Sequence, residues 1–168
     1  MKKIVLAGGC FWGVEAYFKQ LKGVLDTSVG YVDGNKRNPS YQEVCQGLAT
    51  HTEACEITYD EHVITLEMLL EHFLRFVNPF SINKQGHDIG RQYRSGVYVS
   101  DMDEANQVDH FFNQYFSTTD RERVRIHIKF NSDYDLAETY HQKYLDKNPG
   151  GYCHVNLNLA TKDEKKDA

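Results

Sequence analysis

The sequence predicts an α+β protein: a two-layer sandwich in which helices cover a mixed β-sheet, with a ferredoxin-like (split βαβ) core and long loops. Segments that alternate with a period of two are interleaved with segments of helical period, and two predicted strands follow each other without a helix between them. A chain of 168 residues is the size of one domain. We therefore expect a single catalytic domain over residues 1–160 and, because TKDEKKDA is strongly charged, a disordered tail at residues 161–168.

The first half of the chain contains predicted strands at residues 2–7, 24–32 and 53–59. After the first strand, apolar residues recur at the spacing of a buried helical stripe, at positions Phe11, Val14, Phe18 and Leu21. The third strand alternates, so that Glu53 shares a face with Cys55, Ile57 and Tyr59. A turn-rich segment at 33–51 separates the second and third strands, and loops of this length are usually functional or disordered.

The second half begins with a leucine-rich helical stripe at 66–77 that ends at Asn78-Pro79. A second long loop, 80–94, leads to a strand at 96–99. Asp101 and Glu104, spaced as in a capping box, start a helix that extends to about residue 116. We predict a further strand at 124–130 and a last helix at about 136–145.

The composition restricts the possible functions. A chain that is 40% apolar and 26% charged is typical of a soluble globular protein, and a net charge of −5 argues against a large nucleic-acid surface. No apolar run approaches the length of a membrane span. Only four apolar residues, Ile4 to Ala7, follow MKK, too few for a lipoprotein signal, so we expect a cytoplasmic protein. The four cysteines form no CxxC pair, which argues against a structural metal site.

The segment GGCFWG contains the first candidate for chemistry. Cys10 is predicted at a helix N-terminus, where free N–H groups and the helix dipole would lower the pKa of its thiol. The alternative is a small apolar residue buried between strand and helix. Trp12 lies off the stripe that includes Phe11, so it is expected to form an apolar cup beside the thiol. No Lys-Ser or Lys-Thr follows the glycines, which excludes a phosphate-binding loop of the Walker type.

Further candidates are a carboxyl group and two phenols. If Glu53 is buried on the apolar face of its strand, desolvation raises its pKa and makes it a proton donor at neutral pH. Alternatively, Glu53 ends the strand and turns to solvent. Tyr41 and Tyr93 lie in the two long loops, where their hydroxyls could donate hydrogen bonds to a ligand oxygen. Asp88 lies in the same loop as Tyr93, and its local sequence is equally typical of a turn.

Five ordered segments together resemble the peptide-methionine (S)-S-oxide reductases, the A-type methionine sulfoxide reductases. They are GCFWGVE, YQEVCQG, HTEA, QGHDIGRQYRS and KNPGGYC, and the resemblance covers roughly residues 3–160. It implies a thiol-dependent enzyme that reduces methionine-(S)-sulfoxide, in proteins or free, with no bound cofactor or metal. Thioredoxin or another dithiol is the implied external reductant. We expect a monomer with no nucleic-acid or membrane partner.

The resemblance also implies roles for individual residues. Cys10 is the implied nucleophile, and Cys153 is the implied resolving cysteine, which converts the Cys10 sulfenic acid into a Cys10–Cys153 disulfide. Glu53 acts on the sulfoxide oxygen. The implied substrate-binding residues are Phe11, Trp12, Tyr41, Tyr93 and Asp88.

The chain also departs from the family pattern. His87 and Arg91 stand where the family often has Asn and Thr, and no cysteine follows Cys153, so we expect no relay through a third thiol. Cys45 and Cys55 are interpreted as structural. Two other functions remain open at this point: a thiol peroxidase or redox sensor, and a non-catalytic ferredoxin-like binding module. The aromatic cup argues against the peroxidase, because peroxide has no methyl group to bind.

Overall fold

A six-stranded sheet forms the centre of the computed structural model, which describes residues 1–167. Its spatial order is β7-β6-β1-β3-β2-β8. The strands are β1 (Lys2–Ala7), β2 (Val24–Val32), β3 (Thr52–Tyr59), β6 (Gly96–Val99), β7 (His127–Phe130) and β8 (Asp135–Leu136). All neighbouring pairs are antiparallel except β6 and β7, which are parallel, so the predicted mixed sheet is confirmed. Strands β4 (Lys84–Gln85) and β5 (Asp88–Ile89) form a separate small hairpin.

Six α-helices accompany the strands over the described residues. They are α1 (Phe11–Lys19), α2 (Tyr41–Cys45), α3 (Leu66–Phe76), α4 (Met102–Tyr115), α5 (Thr118–Arg123) and α6 (Tyr144–Lys147). The predicted start of α4 is confirmed, because the Asp101 side chain accepts a hydrogen bond from the Glu104 N–H at 2.8 Å. Within residues 1–167 no helix is both long and apolar enough to cross a bilayer.

The main core lies between one face of the sheet and helices α1, α3 and α4. All four residues of the predicted α1 stripe are buried. Three of them, Val14, Phe18 and Leu21, pack with apolar side chains of β1, β3 and α3, whereas Phe11 packs in a second cluster with Val29 and Tyr31 of β2. Each large side chain removed from water in this way contributes about 1.5–3 kcal/mol. A smaller cluster on the other side of the sheet contains Val5, Ala7, Val32, Ala54 and Tyr98.

The prediction of a helix at 136–145 is wrong. This segment contains β8, a 3₁₀ turn at Thr139–His141 and the four-residue helix α6. Just before α6, Lys143 has a left-handed backbone with φ of 54°, which a continuous helix does not allow. Its N–H and its ammonium donate to the buried carboxylate of Glu15 at 2.8 and 3.0 Å. This tertiary contact therefore overrides the local helical pattern.

The predicted disorder at 161–168 is wrong for residues 161–167. They include a 3₁₀ turn at Lys162–Glu164, and residue 168 lies outside the described residues. The Arg75 guanidinium donates to both carboxylate oxygens of Glu164, at 2.7 and 2.8 Å. The prediction of disorder considered only the charge of the segment itself. It could not include Arg75 on α3, which is distant in sequence and holds Glu164 in place.

We predict that Glu164→Gln lowers the free energy of unfolding by about 1–2 kcal/mol at pH 7, because a charge-assisted hydrogen-bond pair is weakened. Hydrogen bonding to Arg75 lowers the pKa of Glu164 from 4.5 to about 2. The contribution is therefore present above pH 4.5 and is lost as the pH falls through 2. Urea unfolding at several pH values measures this, with Glu122→Gln on α5 as the exposed control. A difference from wild type that stayed constant down to pH 2 would contradict the assignment.

Candidate active site

Cys10 lies where β1 passes into α1, and it is the N-cap residue of that helix, as the sequence predicts. The turn depends on Gly9, whose φ of +92° is in the region that favours glycine. A Cβ atom at Gly9 would lie only 2.8 Å from Nε2 of His154, and one at Gly13 only 2.9 Å from Nδ1 of the same ring. The glycines of GGCFWG therefore admit the His154 ring beside Cys10.

The predicted lowering of the Cys10 pKa is wrong. Burial raises the pKa of this thiol well above its ordinary value, and the negative charge of Glu53 raises it further. The N–H groups of Trp12 and Gly13 act in the predicted direction, but their effect is smaller. The Cys10 thiol in this environment is therefore protonated at neutral pH.

Glu53 is almost completely buried on the helix-facing side of β3, with 1% of its surface exposed. It does not turn to solvent, because its Oε1 accepts the Phe11 N–H at 3.1 Å. Burial raises the pKa of Glu53 from 4.5 to about 8, so the carboxyl group is protonated at neutral pH. Its buried Oε2 has no hydrogen-bond partner among the described residues. Glu53 is thus a proton donor with an unpaired oxygen, and it is hydrogen-bonded to Phe11, the residue that follows Cys10.

Tyr41 begins α2, whose N-terminus is fixed by a capping box between Ser40 and Glu43. The Tyr41 N–H also donates to Glu138 at 3.0 Å. Burial raises the pKa of the Tyr41 phenol, and the charge of Glu53 acts on it in the same direction. The hydroxyl therefore lies within electrostatic reach of the buried carboxyl and stays protonated.

Tyr93 ends the 3₁₀ turn Arg91–Tyr93, and both of its neighbours are held by one side chain of β3. The Thr52 hydroxyl lies 3.0 Å from the carbonyl oxygen of Gln92 and 2.8 Å from that of Arg94. Burial is the main reason that the pKa of Tyr93 is raised, and the negative charges of Glu53 and Cys10 raise it further. The two predicted tyrosines thus come from separate loops to the same carboxyl group.

The predicted aromatic cup includes two residues that the sequence analysis missed. The Trp12 Nε1–H donates to Nδ1 of His141 at 3.0 Å, and the indole stacks on Tyr144 with ring centres 3.7 Å apart. Phe11 is buried, with its ring centre 5.0 Å from that of His141. His141 and Tyr144 lie in the aromatic segment TYHQKY, within the predicted helix at 136–145. They were not considered as site residues because the segment was interpreted as a helix.

Asp88 lies on β5, and its carboxylate accepts a hydrogen bond from the Tyr152 hydroxyl at 3.0 Å. Cys153 follows Tyr152 in the chain, and its thiol makes separate contacts. The Cys153 Sγ donates to the carbonyl oxygen of Val155 at 3.2 Å and lines a groove of about 390 Å³ beside the later turns of α1. Cys10 and Cys153 are both free thiols in this arrangement.

The remaining cysteines have different surroundings. Cys55 is fully buried in the main core, as expected of a structural residue. Cys45 is exposed, at the end of the short helix that Tyr41 begins. No group of three or more potential metal-binding side chains occurs within residues 1–167.

Comparison with known proteins identifies a family. A family model described as peptide methionine sulfoxide reductase matches residues 2–168. The chain is 48% identical over 162 residues to a peptide methionine sulfoxide reductase MsrA of Ureaplasma urealyticum, covering 96% of this chain and 98% of the relative. It is 49% identical over 157 residues to an MsrA of Clostridium botulinum, covering 94% and 99%.

Solved structures agree with this comparison. The reduced form of Mxr1 from Saccharomyces cerevisiae has a TM-score of 0.82 and 36% identity, covering 90% of this chain and 88% of that one. Methionine sulfoxide reductase A of Corynebacterium diphtheriae has a TM-score of 0.81 and 31% identity, covering 99% and 83%. Mxr1 has also been solved in complex with Trx2, with 23% identity and a TM-score of 0.57, covering 85% and 84%. Because the family model and these relatives span nearly the whole chain, this protein belongs to the peptide methionine sulfoxide reductase family and is a reductase.

Proposed function

We propose that Cys10 attacks the sulfur of methionine-(S)-sulfoxide, in proteins or free, while Glu53 protonates the sulfoxide oxygen. The observation that carries this proposal is the buried, protonated Glu53 carboxyl beside an N-cap thiol, with one carboxyl oxygen unpaired. A sulfoxide oxygen leaves its sulfur only when it is protonated. The reaction therefore needs a proton donor close to the oxygen and a nucleophile close to the sulfur. The preference for the S epimer is inferred from the family resemblance.

The first step transfers one oxygen atom from sulfur to sulfur. Glu53 gives its proton to the sulfoxide oxygen and receives the proton of the Cys10 thiol, so the carboxyl group ends the step as it began. The products are methionine and a sulfenic acid on Cys10, without a net change in protons. Because burial raises both pKa values, each group is most stable when neutral, and concerted proton movement avoids two adjacent negative charges.

The substrate is bound through its methyl group and its oxygen. The partly exposed Trp12 supplies the apolar contact, and the buried Phe11 ring supports it from the protein side. His141 fixes the indole orientation through a hydrogen bond. The protonated hydroxyls of Tyr41 and Tyr93 donate hydrogen bonds to the oxygen as negative charge develops there. Asp88 lines the same site. This cup favours a methyl sulfoxide over the peroxide of a thiol peroxidase.

The second step regenerates the enzyme. The Cys153 thiol condenses with the Cys10 sulfenic acid, giving a disulfide and one water molecule. An external dithiol such as thioredoxin then reduces the disulfide by thiol exchange, a reductant supported by the Mxr1 complex with Trx2. Thiols supply both electrons, so the proposed cycle needs neither a metal nor a bound organic cofactor.

We also propose a ferredoxin-like, split βαβ core in a two-layer sandwich. The antiparallel order β6-β1-β3-β2, with α1 between β1 and β2 and α3 after β3, supports it. Residues 1–160 are proposed as one catalytic domain. We further propose a monomeric, cytoplasmic enzyme without nucleic-acid or membrane partners. The net charge of −5 supports the absence of a nucleic-acid partner.

Cys10→Ser should abolish methionine release from a methionine-(S)-sulfoxide peptide, because serine is not nucleophilic enough to replace the thiol. The measurement is methionine formed with dithiothreitol as reductant, using separated S and R epimers. Turnover by Cys10→Ser would disprove the nucleophile, and equal rates on both epimers would disprove the stereochemical preference.

Glu53→Gln should slow the first step by about 10²–10⁴, because the amide accepts the Phe11 hydrogen bond but donates no acidic proton. In the wild type, the single-turnover rate should fall as the pH rises through 8, where Glu53 loses its proton. The variant should lack this fall. Glu56→Gln, on the opposite face of β3, is the control. A loss below tenfold would show that Tyr41, Tyr93 or water protonates the oxygen instead.

Cys153→Ser should release one equivalent of methionine per enzyme and then stop when thioredoxin, its reductase and NADPH are the only reductants. Without Cys153, the Cys10 sulfenic acid forms no intramolecular disulfide for thioredoxin to reduce. NADPH consumption and total methionine are measured together and compared with the wild type. Cycling at the wild-type rate would mean that another thiol resolves the intermediate.

A further inference from the structure

The two residues that flank Cys153 are both bound to the catalytic side of the protein. The Tyr152 hydroxyl donates to Oδ2 of Asp88 at 3.0 Å. The His154 Nε2–H donates to the carbonyl oxygen of Gly8 at 2.8 Å, and its Nδ1 lies 3.9 Å from the same Asp88 oxygen. Two loops beside Cys10 therefore hold the chain on both sides of Cys153.

The Cys153 thiol itself points into the groove along α1, which includes Ala16, Lys19 and Gln20. These positions follow Cys10 by six to ten residues, or about 9–15 Å along the helix axis. A disulfide needs its two Cα atoms about 4.4–6.8 Å apart and its Cβ atoms facing each other. Bringing the Cys153 Sγ to bonding distance of Cys10 therefore moves it away from these α1 residues.

This movement conflicts with the contacts of its neighbours. The contacts of the three consecutive side chains show how they are arranged. Tyr152 and His154 point toward Asp88 and Gly8, and Cys153 points the other way. Turning this segment so that Cys153 faces Cys10 moves both neighbours, and disulfide formation therefore works against the Tyr152–Asp88 hydrogen bond.

We propose that the Tyr152–Asp88 hydrogen bond is a latch that keeps Cys153 in its groove and stabilises the dithiol form relative to the Cys10–Cys153 disulfide. The proposal rests on the proposed resolving role of Cys153. Asp88 is on the β4–β5 hairpin, shortly before Tyr93 in the chain. The latch thus connects a loop of the substrate site to the segment that carries the second thiol.

Tyr152→Phe tests the latch because it removes only the hydroxyl group. The full-length variant is equilibrated with mixtures of reduced and oxidised glutathione, quenched with acid and alkylated, and the disulfide is quantified by mass spectrometry. Reduction consumes two glutathione thiols and yields one oxidised glutathione, so the measured quantity is [GSH]²/[GSSG] at half reduction. This ratio should rise at least threefold in the variant. Tyr115→Phe, which alters another exposed tyrosine, should match the wild type.

A double-mutant cycle with Asp88→Ala tests whether the two side chains act together. Asp88→Ala should shift the ratio in the same direction, and adding Tyr152→Phe should then change it by less than about 1.5-fold, because the shared bond is already lost. An unchanged or lower ratio in Tyr152→Phe, or fully additive shifts, would overturn the latch. If the wild type forms no Cys10–Cys153 disulfide at any ratio, the proposed resolving step fails and the latch fails with it. Equal ratios in the wild type and Tyr152→Phe would remove the latch alone.

Discussion

The hydrogen bond from the Phe11 N–H to the Glu53 carboxyl is the contact on which the site depends. It joins the first turn of α1 to β3 in the middle of the sheet, and it fixes Glu53 relative to Cys10. The same contact satisfies one of the free N–H groups at the start of the helix. Since the carboxyl is buried at this point, its pKa rises and a proton is available beside the thiol. The buried position of Glu53 therefore both anchors the start of α1 and provides the proton for the reaction.

Most of the fold could be predicted because its signals are local. The α1 stripe and the alternation of β3 depend only on sequence spacing, and that alternation placed Glu53 on the buried face. The direction of the Cys10 pKa could not be predicted in the same way. The position at a helix N-terminus can be recognised from sequence. The burial of the thiol, and the charges of Glu53 and Asp88 that also raise its pKa, come from residues distant in the chain.

The errors in the second half have a common physical origin. The helix predicted at 136–145 is interrupted by the contact of Lys143 with Glu15, which lies 128 residues earlier. His141 and Tyr144, the partners of Trp12, were missed for the same reason. The charged C-terminal segment pairs through Glu164 with Arg75, 89 residues away. Charge pattern and secondary-structure propensity depend only on residues that are close in sequence. They therefore could not predict these contacts, which join segments far apart in the chain.

The Glu15–Lys143 pair also restricts how this sequence can evolve. The Glu15 side chain is 3% exposed, and a carboxylate left there without its cation would be an uncompensated buried charge, a defect of about 3–5 kcal/mol. Loss of Lys143 alone would thus remove a large part of the stability of a typical domain. Loss of Glu15 alone costs less, because the Lys143 side chain is 34% exposed and its ammonium still lies 3.6 Å from Asp26. Positions 15 and 143 are therefore expected to covary among descendants of this chain, and a lineage that changes position 143 first needs a stability reserve gained elsewhere.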